Sequence, residues 1–193
     1  MNRQVSQVLT GTTTDAVSST RVWRRVVAVA TAAALTAVAA KIAVPLPGIP
    51  VPFTLQPVAV LLAGALLGAS GGLRSQSIYL AAGMAGLPVF AAGGGLAYLL
   101  GPTGGYLLAF PVAAWLAGAF ADQSRGAASI ALGAVVGLAA IHLGGIAWLA
   151  AISGREAAAA VGLAPFFVGD LLKVALVTVI GAGFGGRVRG WIG

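Results

Sequence analysis

The sequence predicts an all-α integral membrane protein of six transmembrane helices with both termini in the cytoplasm. Two observations carry the fold class and a third carries the orientation. Of 193 residues, 59% are hydrophobic and only 8% are charged, with a mean hydropathy of +1.00. Water-soluble chains average roughly 25% charged residues, so a soluble core of this composition would lack polar surface to wrap it. Six apolar stretches of near-spanning length follow one another, and lipid requires each crossing segment to close its backbone hydrogen bonds internally, as a helix does. The basic residues then cluster at alternate ends of these stretches, which sets the orientation.

The first stretch runs from Val26 to about Val44, after "RVWRR". The second covers about Phe53 to Ala69, and the third follows Arg74 through "SQSIYLAAGMAGLPVFAA". The fourth begins near Tyr106 and stops before Asp122, the fifth spans about Ala127 to Ala151, and the sixth about Phe166 to Phe184. Alternating the six helices puts Arg21, Arg24, Arg25, Arg74, Arg125, Arg187 and Arg189 on one side. Lys41, Arg155 and Glu156 fall on the other. The positive-inside bias makes the arginine side cytoplasmic. A signal peptide is the alternative for the first stretch, with "RVWRR" as its basic region and "AVAAK" as its cleavage site, but five apolar segments would still remain. Residues 1 to 20 carry little apolar content and read as a flexible cytoplasmic tail, with the membrane domain occupying 21–193.

Composition also excludes function classes. The net charge of +7 arises from 11 basic and 4 acidic residues spread thinly, which makes no nucleic-acid surface. The chain has no Cys and a single His, so neither thiolate chemistry nor a His-rich metal site is expected, and no cofactor motif is present. It contains no "GxxxxGK[ST]" loop and is therefore not itself an ATPase.

Glycine and alanine spacing points to close helix packing. Gly64, Gly68 and Gly72 recur every four residues, as do Gly133 with Gly137 and Gly181 with Gly185, an arrangement that lets another backbone approach. Ala30 with Ala34, and Ala33 with Ala37, give the first helix similar faces. These faces pack inside the bundle or dock a partner membrane protein, and the sequence leaves both open.

The sixth stretch holds the residues that cost most in lipid. Asp170 and Lys173 are three apart in "FFVGDLLK" and share a helix face. Each charge costs on the order of 2.5–3.5 kcal/mol to place near a membrane centre. A helix-pinning salt bridge is one reading, and the polar floor of a pocket for a small solute is the other. The predicted topology brings Gln56, Tyr98, Thr103, Tyr106 and Trp148 to the same external end, where Tyr and Trp also serve as interface anchors. An acid, an amine and an amide in an apolar hollow suit a compact, neutral polar ring. A membrane enzyme with Asp170 as base and Lys173 as electrophile is a rival, but no nucleophile or metal cluster accompanies them. A purely structural subunit is the other rival.

Three long strings carry a family resemblance: "PLPGIPVPFTLQPVAVLLAGALLGASGG", "YLAAGMAGLPVFAAGGGLAYLLGPTGGYLLAF" and "FFVGDLLK". In this order they resemble the BioY family, the biotin-specific substrate-capture subunits of energy-coupling factor transporters, over roughly Val26 to Arg187. The resemblance implies six membrane helices in the cell membrane with a biotin site near the extracellular side. It also implies a transmembrane coupling subunit and two cytoplasmic ATPases as partners. It places the ureido-ring ligands at Asp170 and Lys173, with Gln56, Phe53 and Tyr106 as further site residues, and coupling-subunit docking on the small face of the first helix at Ala33 and Ala37. Some members carry an Asn and an Arg in the outer loop after Phe90, where this chain has "AAGGG" and "GPTGG". The partner of the biotin carboxylate is therefore open between Lys41 and solvent.

Overall fold

The computed structural model describes the backbone of residues 2–156, 158 and 166–193, and the side chains of those from residue 19 onward. The elements are α1 (Asn2–Lys41), β1 (Ala43–Val44), β2 (Phe53–Thr54), α2 (Gln56–Met84), α3 (Leu96–Leu99), α4 (Gly104–Gln123), α5 (Ala127–Ser153) and α6 (Phe167–Ile192). Five helices are long and apolar enough to cross a membrane: Ser19–Lys41 of α1, and α2, α4, α5 and α6. Large apolar side chains stand bare along their outer faces, among them Leu143, Val168, Leu172 and Val179. In water that much exposed hydrocarbon would drive aggregation, whereas lipid solvates it. The protein is an all-α integral membrane protein.

α2 is not one straight rod. At about 1.5 Å per residue, Gln56 and Tyr79 would stand roughly 34 Å apart on a continuous helix. Instead Gln56 Nε2 donates to Tyr79 Oη at 2.7 Å. A methyl group placed on Gly72 would meet Gly64 Cα at 2.7 Å, eight residues upstream. The chain therefore doubles back between them, at Gly68, whose φ of 80° and ψ of 175° interrupt the helix. That conformation is essentially restricted to glycine. The reversal exposes backbone groups, and side chains from other helices satisfy them. Asp122 Oδ2 accepts from Ala69 N–H at 3.0 Å, Arg189 donates to the Ala65 carbonyl at 3.2 Å, and Arg189 also pairs with Asp122.

The reversal corrects two expectations. Gly64, Gly68 and Gly72 do not form one stripe on one helix: Gly68 is the turn, and the other two face each other across it. Arg74 lies inside the second arm, 69–84, rather than between helices. It nevertheless shares a cleft with Arg25 and Arg189 at the arginine-bearing end, the end assigned from the sequence.

The two arms of α2 pack mainly on α4, which packs in turn on α5. Gly64 lies so close to α4 that a Cβ there would meet the Ala114 carbonyl oxygen at 2.1 Å. Gly133 and Gly137 take the same approach from α5 onto α4. Burial concentrates in two clusters, one around Tyr79, Phe90, Phe110 and Ile141 and one around Leu61, Ile130, Leu138 and Val177.

α1 lies against α2, which covers part of its small-residue face. Ala33 is only 7% exposed and belongs to the core of this chain, with Ala37 packed against the same cluster. Between them, Thr36 accepts from Gln76 Nε2 at 3.1 Å. Ala33 is thus covered within the subunit, while Ala37 stays half-exposed. Ala30 and Ala34 are exposed on α1. α1 starts at Asn2, so helical backbone includes the stretch expected to be a flexible tail, although the membrane span begins at Ser19.

At the end opposite the arginines, β1 and β2 pair antiparallel, with Ala43 opposite Thr54 and Val44 opposite Phe53. Two residues per strand give too short an alternation for sequence patterning to reveal. The pairing holds the proline-rich 45–52 loop over the bundle, and Val51 within it is buried. Lys41 Nζ donates to the Phe90 carbonyl at 2.7 Å, tying the end of α1 to the 85–103 loop.

Candidate functional site

Asp170 and Lys173 lie in the first two turns of α6, where the fold brings α6 against α5 and α2. Both are buried, at 8% and 5% exposure. The spacing of three closes the expected pair, with Lys173 Nζ donating to Asp170 Oδ1 at 3.0 Å. The second carboxylate oxygen is also engaged: His142 Nε2, from the middle of α5, stands 2.6 Å from Asp170 Oδ2. Lys173 Nζ sits 3.9 Å from the centroid of the Phe53 ring, a cation–π contact. Phe53 stacks on Phe166 at 6.3 Å.

Donor and acceptor capacity remains for a ligand. A carboxylate offers about four lone-pair positions, and the contacts with Lys173 and His142 use one on each oxygen. The Lys173 ammonium has three protons. One goes to Asp170 and another direction is taken by the Phe53 face, leaving a donor for a carbonyl oxygen. An N–H donor beside a C=O acceptor, as on the edge of a cyclic urea, matches this remaining capacity.

Gln56 lines the same hollow, as do Tyr106, Thr54, Tyr98, Thr103 and His142. The Gln56 amide is held on both sides. Thr54 Oγ1 donates to its Oε1 at 3.1 Å, its Nε2 donates to Tyr79 Oη, and Tyr79 Oη donates onward to the Val89 carbonyl at 3.1 Å. Gln56 thus joins the β-hairpin, the second arm of α2 and the 85–103 loop, and keeps one amide N–H beyond these bonds. Tyr106 is buried and meets the His142 ring edge-on at 6.2 Å between centroids.

Four of the five expected site residues, Asp170, Lys173, Gln56 and Tyr106, therefore share one hollow. Phe53 stands behind it, under the Lys173 ammonium. Lys41 is committed to the Phe90 carbonyl and is not among the lining residues. Trp148 bonds the Gly101 carbonyl at 3.0 Å, anchoring the loop rather than lining the hollow. Ala164 and Pro165, which precede "FFVGDLLK", lie outside the described residues.

His142 is the residue that sequence reasoning missed. Weighed only as a metal ligand, a lone histidine offers nothing. The available signal was its position, since "ALGAVVGLAAIHLGGIAWLAAIS" has no other ionisable side chain and an ionisable group inside a membrane helix implies a partner. Among the described residues no group of three His, Cys, Asp or Glu side chains could hold a metal ion.

Comparison with known proteins agrees with this architecture. The model of the BioY family matches residues 7–189. A probable biotin transporter BioY of Pyrococcus horikoshii is 44% identical over 76% of this chain and 87% of its own length. A biotin transporter BioY of Thermotoga maritima is 38% identical over the same shares. The crystal structure of an S-component for biotin from an ECF-type ABC transporter superposes with a TM-score of 0.76 at 28% identity, over 86% of this chain and 90% of that one. With a family model spanning nearly the whole sequence and relatives this similar over most of their length, the chain belongs to the BioY family.

Proposed function

We propose that this protein is the biotin-binding S-component of an ECF-type transporter, capturing biotin at the outer face of the cell membrane. The observation that carries the reading is the buried Asp170–Lys173 pair at the floor of a hollow with aromatic walls, in a chain of the BioY family. The ureido ring of biotin presents an N–H donor to Asp170 and its carbonyl oxygen to Lys173. Gln56 and Tyr106 border the ring, and Phe53 fixes the ammonium from behind.

The doubling-back of α2 supports six membrane crossings, with one in each arm. Its turn at Gly68, the α4–α5 connection at Ser124 and Arg125, and the arginines of α1 and α6 all gather at one end. The positive-inside bias makes that end cytoplasmic, with both termini there and the hollow outside. Assembly with a transmembrane coupling subunit and two cytoplasmic ATPase subunits follows from the family reading. The α1 face carrying Ala30 and Ala34 is exposed and offers such a subunit a small-residue surface, with the half-exposed Ala37 beside it.

Titration of detergent-purified protein with biotin tests the reading. Saturable binding at one equivalent is expected, with desthiobiotin, which keeps the ureido ring, competing. No binding of either compound by folded protein would leave a purely structural subunit or another solute as the function.

A further inference from the structure

His142 is the single histidine of the chain, and its contact with Asp170 is the shortest hydrogen bond in the candidate site. The groups facing it are Asp170 from α6, with Lys173 beyond, Tyr106 from α4, Phe166 ahead of α6, and Gln56 from α2 across the hollow. Asp170 Oδ1 is ion-paired to Lys173, so the carboxylate is an acceptor and Nε2 of His142 must supply the proton between them.

We propose that His142 is a positioning residue for ligand capture. Donating to Oδ2, it fixes the plane of the Asp170 carboxylate, so that a free lone pair stays turned into the hollow for a ring N–H of a cyclic urea whose carbonyl oxygen faces Lys173. This rests on the reading given under Proposed function and adds a residue to it. An aspartate carboxyl turns freely about its terminal torsion, which has no sharp staggered wells. Lys173 engages Oδ1 alone, and one point contact from an ammonium leaves the carboxylate free to turn about it. The imidazole is rigid by comparison. It is set edge-on against Tyr106 at 6.2 Å and tilted against Phe166 at 5.8 Å, so its N–H has one direction. Both carboxylate oxygens are then anchored by protein from two different helices, and the ligand meets a carboxylate already oriented, with no ordering left to oppose binding.

The test uses the full chain, purified through a histidine-free affinity tag and labelled with imidazole 15N, so that one pair of ring nitrogens is observed. A protonated Nε2 is expected, with both ring signals shifting on the addition of one equivalent of biotin and Nε2 still protonated. Biotin titrations of His142→Phe, which keeps a ring but no donor, and His142→Gln, which keeps an N–H at similar reach, accompany it. A hydrogen bond to a charged group contributes about 1.5–3 kcal/mol, so the Phe variant should lose about 10- to 100-fold in affinity and the Gln variant should recover to within about 5-fold of the parent. Parent-like affinity in folded His142→Phe overturns the proposal. If that variant does not fold, an unprotonated Nε2, or ring signals indifferent to saturating biotin in the parent protein, overturns it instead. Asp170→Asn is titrated in parallel. A parent that binds biotin and an Asp170→Asn variant that does not, beside an unaffected His142→Phe, would remove the role of His142 alone. A parent that does not bind removes the reading beneath it as well.

Discussion

Gly64→Ala and Gly183→Ala are the same chemical change on two membrane helices, and the structure assigns them opposite signs. A Cβ at Gly64 would lie 2.1 Å from the Ala114 carbonyl oxygen and 2.8 Å from the Gly118 nitrogen. Both obstacles are backbone, so no rotamer change relieves the clash, and the first arm of α2 must retreat from α4 by more than 1 Å to restore ordinary contact near 3.4 Å. Overpacking of this kind costs about 1–3 kcal/mol. Gly183 has nothing within 4 Å of the same position and an ordinary helical backbone. Alanine there should stabilise by up to about 1 kcal/mol, from helix propensity alone. Thermal unfolding of both variants in one detergent should show a lower midpoint for Gly64→Ala and an unchanged or higher one for Gly183→Ala. A Gly64→Ala protein as stable as its parent would mean that α2 and α4 do not meet there, and the doubled-back arrangement of α2 would lose its main support.

Three further outcomes follow from the same geometry. Cysteine introduced at Gly48 should react with an impermeant thiol reagent in intact cells while cysteine at Ser124 should not; labelling of both sites, or of Ser124 alone, contradicts the orientation argued from the arginines. Ala33→Leu should lower thermal stability by about 1–3 kcal/mol through overpacking of a buried position, whereas Ala34→Leu should leave the isolated subunit intact and reduce its co-purification with the coupling subunit; the reverse pattern would restore Ala33 as the docking residue. Gln56→Leu should weaken biotin binding by less than the Asp170 and Lys173 variants, because a neutral amide contributes about 0.5–1.5 kcal/mol, and should lower stability as well by freeing Tyr79 Oη and Thr54 Oγ1; a loss larger than that of either charge variant would make Gln56 the principal ligand contact.

The parts of this protein that a sequence displays are those set by hydropathy and by helix spacing. The apolar stretches mark α4 and α5 to within a few residues at both ends, and the end of α1 and the start of α6 as closely; the three-residue interval between Asp170 and Lys173 is enough to place them together. The reversal at Gly68 is different in kind. A glycine every fourth residue reads as a helix face, and nothing in the string distinguishes a glycine that lets a neighbour approach from one that turns the chain. The decisive groups, Asp122 and Arg189, come from 54 and 121 positions further on, and no local pattern records such contacts. The same limit applies to α1, where Ala33 and Ala34 are chemically identical neighbours and only the packing of α2 buries one and leaves the other outside. His142 was visible in the sequence, but its partner was not, because residues 142 and 170 meet only after α5 and α6 pack.

The central claim is that Asp170 and Lys173 read the ligand rather than pin the helix. Isothermal titration of Asp170→Asn and Lys173→Met with biotin, beside thermal unfolding of the same preparations, tests it most directly. Removing one partner of a buried, hydrogen-bonded charge pair costs about 2–5 kcal/mol, so the account predicts affinity losses of about 30-fold to several thousand-fold in protein that still unfolds cooperatively. Folded variants that bind biotin as tightly as the parent, with only their unfolding midpoints lowered, would show a structural salt bridge and contradict it.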